Sequence, residues 1–322
     1  MRASPPQFKE KPSSRLNSVV GTPQPWRISM ADDLPFSTKQ IRAIQHNFQE
    51  HPLLQLPALE QLAKELVSTK QCRFVSPSIT QSSDFFHEDK DPHGRSIEEV
   101  FAHIETPGSW VALYNVESHP TYQKLLDEVV DCFRDRVERE EPGIFNVGGF
   151  IFISAPPSVT PFHIDRENNF WLQIAGHKEM SVWDPNDREV VSAKARSDFV
   201  VHGALDEVRL KEEHLNRRHI FQVGPGQGVY FPSTSPHMTR TEPSWVRSGD
   251  AVSISIGVVF YTDQTRQAAN VHVVNRLLRK FLGITPREPG ESAFIDAIKY
   301  GFARVILRLH KTLRGYAPVK GL

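Results

Sequence analysis

The residues of this chain that could do chemistry start with a histidine and an aspartate two positions apart, His163 and Asp165. Side chains at positions i and i+2 of an extended strand point to the same side, so one imidazole and one carboxylate face the same space. A third group, His237, follows an apolar run at 228–232 that is typical of a strand ending in a proline turn. Two imidazoles and one carboxylate on one face of a metal ion leave the opposite face open, which suits Fe(II). The three residues therefore predict an iron site.

A bare His-x-Asp pair occurs often by chance, and it then represents a surface histidine beside a turn-forming aspartate. Two other histidines near the motif are weaker ligand candidates. His177 falls on the wrong strand face by parity, and His202 lies in a long polar insert at 184–218. The prediction of a metal site therefore depends on the accessory groups between Thr160 and Lys178.

The elements that would position these residues form a β-rich stretch from residue 144 to residue 262. Short runs of β-branched and aromatic residues are separated there by Gly and Pro turns, at 150–154, 170–174, 179–183, 228–231 and 252–260. Many short strands of this kind predict a sandwich or a barrel. The predicted fold class is mainly β with flanking helices.

Helical patterns precede this stretch, in residues 30–143. Helices are predicted to start at Ser37, Pro57 and Ser96, and a long helix is predicted from Tyr122 to Arg139. These helices would pack on the barrel. Residues 1–29 are rich in Pro, Ser, Lys and Arg without periodicity, and they predict a disordered arm.

Helical periodicity returns after the β-rich stretch, in residues 263–322. Two apolar stripes are predicted, one from Val274 to Leu282 and one from Phe294 to Leu309. The stripes are wider than a lone surface helix needs. They could form a homodimer interface, pack back on the barrel, or lie on a membrane surface, because Arg and Lys residues are interleaved with the apolar ones.

Composition argues against several classes of protein. Lys+Arg and Asp+Glu both number 38 in 322 residues, so the chain has no overall positive charge with which to bind nucleic acid. No apolar run is long enough to span a bilayer, and the N-terminus lacks the apolar core of a secretory signal. Two cysteines, Cys72 and Cys132, are too few for a disulfide framework or a thiolate metal site. These features indicate a cytoplasmic enzyme without a transmembrane segment.

The segment from Thr160 to Lys178 resembles the corresponding segment of the cupin-like JmjC oxygenases, which use Fe(II) and 2-oxoglutarate. It reads Thr-Pro-Phe-His-Ile-Asp, then Asn-Phe, then Gln-Ile-Ala-Gly-His-Lys, and each element matches the family pattern in type and spacing. Within the family the match is closest to the asparaginyl hydroxylase that inhibits hypoxia-inducible factor. The resemblance continues loosely to His237, and it does not cover residues 1–140 or the C-terminal helices.

This resemblance implies a double-stranded β-helix (cupin or jelly-roll) core and a set of site residues. His163, Asp165 and His237 would bind the iron. Thr160 and Lys178 would bind the distal carboxylate of the co-substrate 2-oxoglutarate. A lysine that points into the barrel needs an anion opposite it, because burying an unpaired charge is costly.

Two further positions follow from the same resemblance. Asn169 would lie near the open face of the iron and orient the co-substrate or a water molecule; the alternative is an ordinary asparagine at the start of a strand. The last barrel strand of the asparaginyl hydroxylase carries an Asn and a Trp near the co-substrate. Here a Ser or Gly replaces the Asn within 253–257, and Ser253 or Ser255 would compensate.

The activity that the resemblance implies is hydroxylation of a C–H bond, coupled to conversion of 2-oxoglutarate into succinate and CO₂. It favours a side chain of a protein or peptide as the substrate, although asparagine itself is not implied because the last strand differs. Three alternatives stay open. They are a small-molecule hydroxylase, an N-methyl-lysine demethylase, and a non-catalytic metal-binding cupin module.

Overall fold

The computed structural model describes residues 25–75, 79–85, 88–246 and 251–314. Within these ranges the chain forms twelve β-strands and seven α-helices. The strands are β1 (Ile28–Met30), β2 (Arg42–His46), β3 (Cys72–Phe74), β4 (Trp110–Leu113), β5 (Phe145–Ser154), β6 (Ser158–His163), β7 (Asn168–Ala175), β8 (Lys178–Val182), β9 (His219–Val223), β10 (Gln227–Phe231), β11 (His237–Thr241) and β12 (Ser253–Tyr261). The helices are α1 (Leu56–Val67), α2 (Ile97–Ala102), α3 (Pro120–Asp131), α4 (Arg134–Glu140), α5 (Ala193–His202), α6 (Asp263–Leu282) and α7 (Ala293–Arg314).

Two antiparallel sheets form the core. The large sheet has the order β1-β2-β10-β7-β12-β5-β4-β3, and the small sheet has the order β6-β11-β8-β9. Successive strands alternate between the two sheets from β5 to β8 and again from β9 to β12, so the sheets are the two halves of a double-stranded β-helix. The predicted mainly β fold with a cupin-like core and flanking helices is confirmed.

The alternation of side chains along β5 shows how the large sheet is buried on both faces. Ile151 and Ile153 belong to the hydrophobic cluster that includes the buried faces of α1, α2 and α3. Phe150 and Phe152, on the opposite side of the strand, line a pocket between the two sheets. The period of two therefore assigns one face of the strand to the helices and the other to the barrel interior.

The outer helices agree in part with the sequence predictions. Helix α1 begins beside Pro57, and α2 has the predicted capping box, in which the Glu99 carboxylate accepts the Ser96 amide at 2.7 Å. The helix predicted from Ser37 is wrong. The Ser37 hydroxyl instead donates to the Glu140 carboxylate at 3.1 Å, and the chain then enters β2, which pairs with β10.

The predicted long helix from Tyr122 to Arg139 is two helices. Helix α3 ends at Asp131, α4 begins at Arg134, and Phe133 lies between them. Phe133 is fully buried and stacks on Phe170 of β7, with ring centroids 4.8 Å apart. The ring of Phe133 therefore contacts the sheet from the turn between the two helices.

The region predicted as a disordered arm is ordered where the structure describes it. Residues 1–24 lie outside the described residues. Trp26 stacks on Phe48 with ring centroids 5.3 Å apart, and Ile28 is buried in β1. The alternation of apolar residues at 26, 28 and 30 is typical of an edge strand, which the polar composition of the arm as a whole obscured.

The polar insert at 184–218 and the C-terminal helices pack together beside the barrel. Helix α5 lies in the insert, and its buried Val201 packs with Val273, Val274 and Ala303 of α6 and α7. No helix in the described part of the chain is long and apolar enough to cross a bilayer.

The stability of the fold is expected to fall in acid because of His46 in β2. Its Nε2 donates to the Gln227 carbonyl at 3.2 Å and its Nδ1 accepts the Phe48 amide at 3.1 Å, which fixes a neutral ring. Burial lowers its pKa from 6.5 to about 4. Between pH 6.5 and 4, His46 therefore binds a proton in the unfolded chain but stays neutral in the folded chain. The free energy of unfolding falls as the pH falls through this window. The loss totals about 3 kcal/mol.

The variant H46Q tests this expectation, because it keeps a donor near the Gln227 carbonyl and removes the titrating ring. Urea unfolding at several pH values measures how the free energy of unfolding depends on pH. Between pH 4 and 6.5 this free energy should change less steeply in H46Q than in wild type, by about 1.4 kcal/mol per pH unit. Equal slopes in the two proteins would show that His46 does not contribute to the acid sensitivity.

Candidate metal centre

His163, Asp165 and His237 lie together at one end of the barrel. Strands β6 and β11 are neighbours in the small sheet, and His163 is the cross-strand partner of His237. Asp165 follows the end of β6, and its Oδ2 lies 3.5 Å from Nε2 of His237 and 4.0 Å from Nε2 of His163. One ligand atom of each residue lies within 4.8 Å of the others, and no fourth such side chain among the described residues joins them. The structure thus brings together the three residues that the sequence predicted as iron ligands.

Backbone carbonyls fix which nitrogen of each imidazole carries the hydrogen. Nδ1 of His163 lies 2.7 Å from the Pro161 carbonyl, and Nδ1 of His237 lies 3.0 Å from the Ser235 carbonyl. A carbonyl oxygen only accepts hydrogen bonds, so both Nδ1 atoms donate and both Nε2 atoms keep a lone pair. This is the arrangement that holds a metal-binding histidine in the correct tautomer.

The carboxylate of the set is in an environment that a cation would improve. Partial burial raises the pKa of the Asp165 carboxyl, because the surrounding protein stabilises the charged form less well than bulk water does. The two imidazoles beside it offer lone pairs rather than hydrogens. Two nitrogen donors and one oxygen donor on one side of an open space fit a divalent metal that keeps free coordination positions.

Lys178 lines the same pocket, deeper in the barrel. It starts β8, whereas Val182 at the other end of this strand pairs with His237. The side chain is only 3% exposed, and its Nζ donates to the Ser154 hydroxyl at 3.5 Å without a carboxylate partner among the described residues. Burial lowers the pKa of Lys178 to about 8. A buried ammonium group without a counter-ion is costly, so this end of the pocket fits an anion.

Hydroxyl and amide groups line the space between the two ends. Thr160 and Ser255 both line the pocket, and the Ser255 hydroxyl has no hydrogen-bond partner among the residues that the structure describes. Ser253, the other candidate on β12, accepts the Gln173 side-chain amide at 2.9 Å and does not line the pocket. Of the two serines, Ser255 is therefore the one placed to contact a bound co-substrate.

Asn169 faces the same pocket from β7. Its Oδ1 is buried without a hydrogen-bond partner, and its side chain lies against Gly257 of β12, where an added Cβ would come within 3.3 Å of that oxygen. The glycine therefore leaves room for the asparagine. An unsatisfied amide next to the three candidate ligands is available to a bound co-substrate or water.

The sequence predictions missed one residue that lines the pocket and two that pack against residues of its wall. Thr239 lines it two residues after His237, and the period of two along β11 could have identified it. Phe85 stacks on His163 with ring centroids 4.0 Å apart. Tyr114 packs edge-on against Phe150 at 4.9 Å, and burial and then the charge of Asp165 raise its pKa. Phe85 and Tyr114 come from segments distant in sequence, and no local pattern marks them.

Comparisons with known proteins give distant similarities. No protein-family model matches the chain. No curated protein matches it either. A structure of YcfD, a ribosomal oxygenase from Escherichia coli, aligns with 88% of this chain and 68% of its own, at 13% identity and a TM-score of 0.43. A crystal structure of the same oxygenase has 14% identity and a TM-score of 0.45 over the same shares of both chains. A structure of YcfD in complex with cobalt and 2-oxoglutarate aligns with 84% of this chain and 63% of its own, at 15% identity and a TM-score of 0.42.

Proposed function

We propose that this chain is an Fe(II)- and 2-oxoglutarate-dependent oxygenase of the JmjC type that hydroxylates a C–H bond in a side chain of a protein or peptide. The observation that carries the proposal is Lys178, a buried ammonium that has no carboxylate partner in the part of the chain that the structure describes, at the far end of the pocket that holds the His163, Asp165 and His237 cluster. A structural metal alone would need no cationic group at the other end of the pocket. A co-substrate that binds a metal at one end and carries a carboxylate at the other needs the metal site and the cationic group together.

The proposed site has two groups of binding residues, one for the metal and one for the co-substrate. His163, Asp165 and His237 hold the metal, and Lys178 with Thr160 holds the distal carboxylate. Bound together, iron and 2-oxoglutarate would supply the oxidising chemistry, in which O₂ is the oxidant: one of its oxygen atoms enters succinate as 2-oxoglutarate loses CO₂, and the other converts a substrate C–H bond to C–OH.

The rest of the pocket would position the reactants and limit access of water. Asn169 and Ser255 offer an unpaired amide oxygen and hydroxyl to the co-substrate, and Phe85 and Phe231 cover the two imidazoles. Precise placement in a pocket with little water is the main contribution that such a protein makes.

An anaerobic titration tests the proposal directly. Fe(II) and 2-oxoglutarate together should produce a weak charge-transfer band in the visible range, and neither should produce it alone. Metal binding without the band would indicate the non-catalytic cupin module instead. Aerobic screening of peptides and metabolites for succinate formation, with a product heavier by one oxygen atom, then separates a protein or peptide substrate from a small molecule and hydroxylation from demethylation.

We further propose that α7 forms a homodimer interface. Five apolar side chains follow one stripe of this helix, each more than half exposed: Phe294, Ile298, Phe302, Val305 and Leu309. The opposite face of α7 packs on α6, and Ala303 on that face of α7 is fully buried. Exposed apolar stripes of this extent mark interaction sites. A second copy related by a twofold axis would present the same stripe, and the two could cover each other.

The variant F302E is expected to convert a dimer into a monomer, because it places a charge at the centre of the stripe. K311E is the matched control, since residue 311 is exposed on the opposite side of the helix. Light scattering coupled to gel filtration should show dimers for wild type and K311E. A wild-type monomer that binds lipid vesicles would support the membrane-surface alternative.

The remaining assignments are proposals of the same kind. The division into an arm (1–29), an N-terminal region (30–143), a catalytic core (144–262) and C-terminal helices (263–322) follows the positions of the site and of the helices. A cytoplasmic location is supported by the two free cysteines, Cys72 and Cys132.

A further inference from the structure

A second cavity, of about 560 Å³, lies outside the barrel, next to the loop that follows the candidate ligand Asp165. Its walls come from residues 166–168 after the candidate ligand Asp165, from residues 232–234, and from helices α5 and α6. None of the residues proposed to bind metal or 2-oxoglutarate lines it. The cavity is therefore a separate site on the same end of the molecule.

Two arginines of the insert converge on one wall of this cavity. Nη1 of Arg188 donates to the Pro185 carbonyl at 3.2 Å, and Nη2 of Arg196 donates to the same oxygen. Arg196 is only 4% exposed, and its Nε has no hydrogen-bond partner within the described ranges. Two guanidinium groups thus share a single neutral acceptor, which leaves donors of both free to bind something else.

The described carboxylates do not neutralise this pair. Neither arginine has an ion-pair partner within 4.0 Å among the residues that the structure describes. Asp184 and Glu288 attract Arg196 only from a longer distance. Glu288 is itself engaged by Arg279 and by the Asn275 side chain.

Most of the other titratable groups in the cavity wall have partners of their own, and Lys39 adds a further positive charge to the wall. Glu141 accepts hydrogen bonds from Thr38 and Thr262, and Glu291 accepts one from the backbone amide of Glu288. Burial and then the charges of Arg196 and neighbouring basic residues lower the pKa of His272, so its ring is neutral. Arg166 lines the same cavity and donates only to the carbonyls of Phe199 and Val200. The wall therefore has an uncompensated positive charge.

We propose that this cavity binds a small molecule through a doubly charged oxyanion, a phosphoryl group or a dicarboxylate, held between Arg188 and Arg196. Two guanidinium groups that donate to the same carbonyl oxygen and line the same cavity carry two positive charges, which a doubly charged anion would balance. The planar fork of arginine matches the oxygens of carboxylate and phosphoryl groups, and such charge-assisted hydrogen bonds are the strong ones. The cavity volume is suited to a ligand the size of a metabolite. This inference does not rest on the proposed oxygenase activity.

Calorimetric titration of the full chain in a buffer free of other polyvalent anions tests the proposal, with inorganic phosphate and malonate as probes. At least one probe should bind wild type with a stoichiometry of about one per chain, and the probe that binds identifies the class of anion. R196M and R188Q should each weaken binding at least about tenfold. R217Q is the matched control, because Arg217 belongs to the same insert but is 42% exposed and pairs with Asp187 and Glu189.

Malonate could also reach Lys178, so K178M is included to separate the two sites. Binding that survives in K178M and R217Q but is weakened in R188Q and R196M supports the arginine cavity. Absence of binding to wild type, or equal binding to wild type and R188Q, overturns the proposal. Arg188 is half-buried rather than buried, so R188Q decides the question even if R196M does not fold.

Discussion

H237A is expected to weaken Fe(II) binding by at least about 100-fold and to abolish turnover. His237 contributes one of two neutral nitrogen donors, and its Nδ1 donates to the Ser235 carbonyl, which aims Nε2 at the shared space with Asp165. Loss of partners outside the ligand set of a metal already costs 10- to 100-fold in affinity, so loss of a direct ligand should cost more. Anaerobic calorimetric titration with Fe(II) measures the effect.

H202A is the matched control for this variant. His202 is a histidine at the end of α5, exposed and outside the pocket, and it was the other downstream candidate in the sequence. Its removal should leave Fe(II) affinity unchanged. Circular dichroism should show both variants folded, with H237A somewhat less stable because a buried side chain and its hydrogen bond are lost. Fe(II) affinity in H237A equal to that of wild type would remove this residue from the metal site.

Part of the metal cluster could be predicted because its geometry is local. His163 and Asp165 are two residues apart, and they face the same space although Asp165 lies just beyond the end of β6. Pairing of His237 with His163 across β6 and β11 is long-range, but the strand-like run before His237 indicated a barrel position. The choice between Ser253 and Ser255 could not be made in this way. The two serines are two residues apart on β12, so parity assigns both to the same face of the strand and cannot separate them; the difference is that Gln173 occupies the Ser253 hydroxyl.

The elements that sequence reasoning missed depend on distant partners. β2 has a strand pattern of only five residues, and it is stabilised by β10, where Ile44 pairs with Gly228. The arginine cavity was hidden for a different reason. Arg196 and Ser197 are polar but buried, so the polar composition of the insert at 184–218 gave no sign of the packed helix α5 that lies there. Burial of polar residues is set by tertiary contacts, and periodicity does not reveal it.

K178M is expected to make the protein more stable and at the same time unable to bind 2-oxoglutarate. Burial lowers the pKa of Lys178 from 10.5 to about 8, so between these values the unfolded chain binds a proton more readily than the folded chain. Below pH 8 the folded state therefore carries the full penalty, about 3 kcal/mol, and the penalty shrinks as the pH rises toward 10.5. Methionine fills a similar volume without a charge. Thermal unfolding at pH 7 should show a gain in stability of up to this amount, and the gain should decrease at pH 10.

The same substitution should lower the affinity for 2-oxoglutarate at least about 100-fold, because the distal carboxylate loses its only cationic partner in the pocket among the described residues. Wild type should be stabilised by added 2-oxoglutarate and Fe(II), whereas K178M should gain nothing from the co-substrate. K194M is the matched control, since Lys194 is 59% exposed and pairs with Asp198 and Glu207 on the surface. A stable K178M that still binds 2-oxoglutarate like wild type would show that the buried ammonium serves another anion. If K178M were less stable than wild type, the charge of Lys178 would have to be balanced by other groups of the folded protein. The physical argument for an anion in this pocket would then fail.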